Sequence, residues 1–129
     1  MFNQELKNIL CDMYQLNPTY TYVVLIDGNK SKDLNLFMKE VSIAFKFPDY
    51  YSGNMNSFNE IINDLSWLNA NDYILAISES NNFLKSESEI EQEAIKTRLV
   101  EISKEWNNVP NYQGEDKYRQ KSRFIIHFV

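Results

Sequence analysis

The sequence predicts an α/β fold: a small, mainly parallel three-stranded sheet packed with helices. Two runs carry most of that expectation. YTYVVLI (20–26) and DYILAIS (72–78) are nearly unbroken in β-branched, aromatic and aliphatic residues. A strand covered on both faces needs that pattern, whereas a half-solvated one alternates. RFIIHFV (123–129) supplies a third strand, and stretches with helical spacing separate the three. Strands joined through helices make parallel neighbours.

Each element has its own signal. Phe2, Leu6, Ile9, Leu10 and Met13 recur at helical spacing, so 2–15 is expected as an amphipathic helix, ended by Asn17-Pro18. Asp27-Gly28 closes the first strand. Ser31 or Asp33 can cap a second helix with Leu34, Phe37, Met38, Val41 and Phe45 on one face, stopped by Phe47-Pro48. A short helix is expected from Ser57, carrying Phe58, Ile61, Ile62 and Leu65. A long one follows from about Ser88, where Glu89, Glu91 and Glu93 suit the positive end of the helix dipole. Its apolar stripe is Ile90, Ala94, Ile95, Leu99 and Ile102.

At 129 residues the chain suits one domain, 1–129. No apolar run is long enough to span a bilayer, and Glu5 and Asp12 interrupt what would be a signal peptide's apolar region. The single cysteine, Cys11, has no internal disulfide partner, which fits a reducing compartment; the cytoplasm is the expected location. Position matters more than total for charge. The chain holds 13 basic and 18 acidic residues, a net charge of −5. Asp49, Glu60, Asp64, Asp72 and Glu79 lie in a window, 47–84, without Lys or Arg, and elsewhere the two signs balance. Such a segment repels phosphate backbones and attracts basic proteins, so direct nucleic-acid binding is not expected. A chance grouping of solvated carboxylates gives the same count.

One His and one Cys cannot build a His/Cys zinc centre, and no phosphate-loop, dinucleotide, zinc-protease or nucleophile-elbow motif occurs. Neither a metal nor a cofactor is expected. His127, between Ile126 and Phe128, reads as structural or partly exposed, and Cys11 as a buried, inert thiol. Glu60 and Asp64 fall one helical turn apart, which leaves open a carboxylate-only enzyme or a pair of solvated side chains.

The segment FPDYYSGNMNSFNEIINDL, lying between a helix and a buried strand, resembles the barstar family of small intracellular ribonuclease inhibitors. Pro48-x-Tyr50-Tyr51-x-x-Asn54 before a helix is its most specific part. The likeness runs from about 22 to 78, and more loosely through the long helix and last strand. The N-terminal helix segment (2–16) and the loop 107–121 look like additions to a barstar-like fold.

The resemblance implies a non-enzymatic protein whose turn and following helix plug a basic nuclease active site. It implies an immunity protein against a nuclease toxin, with no direct nucleic-acid or membrane contact. Tyr50 and Asn54 match a contacting tyrosine and the turn asparagine, and Met55 an apolar contact. Glu60 stands at the decisive acidic position, where the family has aspartate. Asn56 replaces a second contacting aspartate, Asn59 a large aromatic, and Gly53 falls one residue later than the family's glycine. Asn63 and Asp64 extend the same face, and Glu101 on the long helix offers a supporting contact. Simpler roles stand beside these: Tyr51 as core, Asn54 as a cap, Asn56 and Asn59 as surface. A barstar-like interaction or regulatory module without a nuclease target is the alternative function.

Overall fold

The computed structural model describes residues 4–108 and 122–129. The element order is α1 (Gln4–Met13), β1 (Thr21–Asp27), α2 (Leu34–Ala44), α3 (Met55–Ile62), β2 (Asp72–Ser78), α4 (Glu89–Asn107) and β3 (Phe124–Phe128). Single 3-10 turns at Pro18–Tyr20 and Gly28–Lys30 flank β1. The strands form one parallel sheet in the order β1-β2-β3, as expected from their long apolar runs. Thr21 lies opposite Asp72, and Tyr73 opposite Phe124.

β2 is central and buried from Tyr73 to Ile77, which explains why its sequence does not alternate. Side chains of the sheet divide by parity. Tyr22, Val24, Ile26, Tyr73, Leu75, Ile77 and Phe124 join a core with Phe37, Met38 and Val41 of α2, Phe58 and Ile62 of α3, and Ile95, Leu99, Ile102 and Trp106 of α4. Val23, Ile74 and Ala76 turn the other way and pack with Leu10 and Cys11 of α1. The crossover after β1 runs close to the end of β2. A Cβ on Gly28 would collide with the carbonyl oxygens of Ser78 and Glu79, so glycine is required there.

Helix starts follow the side chains that can cap them. Asp33 accepts from Leu36 N–H (2.8 Å), Asn54 from Ser57 N–H (2.8 Å) and Ser88 from Glu91 N–H (3.2 Å). Each satisfies one of the orphan donors of a first turn. Of the two caps expected for α2, Asp33 serves and Ser31 is buried. The start expected at Ser57 is corrected: α3 begins two residues earlier, because Asn54 takes the cap and Ser57 instead accepts from Ser52 N–H (3.1 Å).

α1 and α2 end alike. Gln15 (φ 57°) and Lys46 (φ 54°) are left-handed and follow the last helical turn. Leu16 N–H then reaches Cys11 C=O (2.8 Å), and Phe47 N–H reaches Ser42 C=O (2.9 Å). These long backward bonds satisfy the end carbonyls, a closure usually made with glycine. α2 therefore stops before the Phe47-Pro48 stop signal. The expected insertion 107–121 lies, after Asn108, outside the described residues, as does Phe2.

A pinned turn and helix bearing the candidate binding residues

The segment from Lys46 to Asp64 is held at both ends by aromatic donors from the core. Tyr22 OH donates to Ala44 C=O (2.6 Å) and Trp67 Nε1–H to Phe45 C=O (2.9 Å), fixing the end of α2. Trp106 Nε1–H donates to Ile62 C=O (3.0 Å), fixing the end of α3. Helix C-termini leave carbonyls without intrahelical partners, and these rings supply them while filling the core. The two ends of the connection are thus tied to β1, to the loop after α3 and to α4.

Phe47 anchors the turn from beneath. Its ring meets Tyr51 edge-on (5.1 Å between centroids, 87°), Phe58 (5.8 Å) and Trp67 (6.3 Å). Tyr51 is half-buried in this cluster, as a core role requires, and burial raises its phenol pKa. Tyr51 N–H donates to Pro48 C=O (3.0 Å), and that turn leaves Tyr50 67% exposed. Gly53 (φ 80°) adopts the left-handed conformation with nothing near its missing side chain. Asn54 does cap α3.

Along α3 the expected residues separate. Phe58, Ile61 and Ile62 are buried, and Met55 is partly buried against the core. Asn56 and Glu60 are exposed. Asp64, past the helix end, is half-buried and accepts from Ser66 N–H (3.3 Å). Asn59 and Asn63 turn toward α4. Asn63 Nδ2 donates to Asn59 C=O (3.0 Å) and to Glu105 Oε1 (3.2 Å).

Arg98 completes this network and was not among the sequence candidates. Its Nε–H donates to Asn59 Oδ1 (2.9 Å), its Nη1 to Glu101 Oε2 (3.2 Å) and Glu105 Oε2 (3.1 Å), and its Nη2 to Glu105 Oε1 (3.1 Å). Burial alone would lower the guanidinium pKa, but bonds and charge from Glu105 and then Glu101 outweigh it, and the pKa is raised. The cation-free window 47–84 is therefore a property of the chain and not of the surface. The fold brings Arg98 from α4 against the middle of α3. A partial signal was present: Arg98, Glu101 and Glu105 share one stripe of α4 at spacings of three and seven.

His127 lies away from this segment, its Nδ1 2.6 Å from Tyr14 OH, and Cys11 is fully buried beneath α1. Among the described residues, no group of three or more His, Cys, Asp or Glu side chains is placed to hold a metal ion, and no helix is long and apolar enough to cross a membrane.

A short three-stranded parallel sheet thus carries, between its first two strands, a turn and helix that leave Tyr50, Asn56 and Glu60 exposed. The family model described as Barstar (barnase inhibitor) matches residues 21–124, most of the chain. The chain belongs to the barstar family, whose members are inhibitors that bind a nuclease. α1 precedes the matched residues. No curated protein matches the chain.

Proposed function

We propose that this protein binds and occludes the basic active site of a cognate nuclease, an RNase toxin, and serves as its cytoplasmic immunity protein. The observation that carries the reading is the exposed Glu60 carboxylate, on a helix pinned at its start by Asn54 and at its end by Trp106. A site built to bind phosphate presents Lys, Arg and His. A carboxylate carried on a helix already held in place meets them without the backbone first having to be ordered. Tyr50, in the turn that leads into the same helix, is an exposed aromatic of the kind that anchors interfaces. Asn56, Asn54, Met55, Asn63 and Asp64 complete the contact set, with Asn59 and Glu101 at its α4 border. Opposite charges steer the encounter, and the barnase–barstar pair is itself a model case of such steering.

The test is capture from native cells by tagged wild type and Glu60→Ala, followed by mass spectrometry. Retention of a basic nuclease by the wild type alone is expected, with Glu60→Ala weakening binding by about 2 kcal/mol or more. Association should also slow as salt rises, because exposed charges are screened within about 8–10 Å at ordinary ionic strength. Salt-insensitive association would rule out phosphate mimicry.

A second reading is favoured by one observation: Asn59 and Glu101 are already bonded to Arg98. In that reading the barstar fold serves as an interaction module without a nuclease target. Capture of one and the same non-nuclease protein by both the wild type and Glu60→Ala would decide for it.

A further inference from the structure

We propose that Arg98 is the specificity-determining residue of this binding face, a resident cation that closes its α4 half to basic partners. The inference rests on the reading of the turn and α3 as that face. The two halves differ in what their acids are doing. On α3, Glu60 is exposed, and no hydrogen bond or ion pair within the described residues holds its carboxylate. On α4, Glu101 and Glu105 are 55% and 43% exposed, yet both are ion-paired to Arg98, whose own side chain is only 24% exposed.

Geometry makes this closure hard to reverse. The guanidinium grips Glu105 through both terminal nitrogens, reaches Glu101 with one of them, and binds Asn59 through Nε. Asn63 holds the same Glu105 oxygen from the α3 side. A partner arginine seeking Glu105 would have to strip the guanidinium of its acceptors while it stays largely covered, and would meet it as a like charge. Rejection of wrong partners by such a built-in repulsion is a recognised route to specificity. The nuclease that fits brings its cations to Glu60 and Asp64 and presents a neutral surface to the Arg98 cluster on α4. Nucleases that place a cation on each helix are refused.

A hexa-arginine peptide tests this without any nuclease, with side-chain carboxyl shifts followed by NMR at low salt. In the wild type the shifts should concentrate at Glu60 and Asp64, those at Glu101 and Glu105 being about threefold smaller because Arg98 already shares their charge. Arg98→Gln should let Glu101 and Glu105 respond as strongly as Glu60. Arg98→Lys, which keeps the charge but loses the forked grip on Glu105 and the bond to Asn59, should give shifts at Glu101 and Glu105 between those of the wild type and Arg98→Gln. Equal shifts on both helices in the wild type overturn the proposal, and so does an Arg98→Gln map identical to the wild type. If Arg98→Gln does not fold, the wild-type map alone decides by the same criterion. Failure to capture a nuclease would count against the proposed function and leave this map unaffected.

Discussion

One face of the sheet meets three helices through aromatic rings, whereas the other meets α1 through smaller aliphatic side chains. On the first, Phe45 stacks on Phe124 (5.8 Å), which in turn stacks on Trp106 (6.4 Å), and Tyr73 tilts against Trp106 (5.2 Å). Tyr22, Trp67 and Trp106 then use their polar ends to hold the carbonyls that close α2 and α3. On the second, Leu10, Cys11, Val23, Ile74 and Ala76 make the core. Its rim is fastened by Tyr14 OH to His127 Nδ1 and by Arg123 Nη1–H to Tyr14 C=O (2.7 Å). The difference separates covering a sheet from aiming a segment. Aliphatic packing buries area without direction, while a ring with a hydrogen-bonding end also fixes where a helix stops. The candidate binding residues sit on the aimed side.

The sharpest way to break this comparison is Trp106→Ala. It empties a ring-sized space and orphans Ile62 C=O, so a loss of about 3–5 kcal/mol is expected in urea unfolding. A loss under about 1 kcal/mol would mean that the ring contributes neither packing nor position. Leu10→Ala on the other face should remove about 2–3 kcal/mol. It should also act more locally. Cys11 beneath α1 is fully buried, and burial raises its thiol pKa although Thr21 and Lys7 pull it down. Only the thiolate reacts, so labelling by a disulfide reagent requires α1 to open. Leu10→Ala should speed that labelling more than Trp106→Ala does. Equal acceleration would show that the two faces open as one unit. The smallest expected effect is Asn54→Ala, about 1 kcal/mol from the lost cap, with most of it restored in Asn54→Ser. No change in the unfolding midpoint would remove the cap from the account.

The sheet was legible because buried strands leave unbroken apolar runs, and 72–78 matches β2 residue for residue. The start of α3 was less so, since Asn54 and Ser57 are both good caps and only the fold shows which one has a free N–H to serve. Glu60 could be singled out by its place in a recognisable segment. Arg98 could not, because its bond to Asn59 spans 39 positions and depends on how α4 lies across α3. Linear charge counting missed it for the same reason. Asn59, read from the chain as contact or surface, is an acceptor for that arginine.

The chain holds two tryptophans, and both indole N–H groups end on the helices that frame the turn. Emission from Trp67 is therefore sensitive to the close of α2, and emission from Trp106 to the close of α3. Single Trp→Phe versions would resolve the two signals into separate optical gauges, one at each end of the segment. A ligand's arrival on the turn could then be followed in real time without attaching any dye.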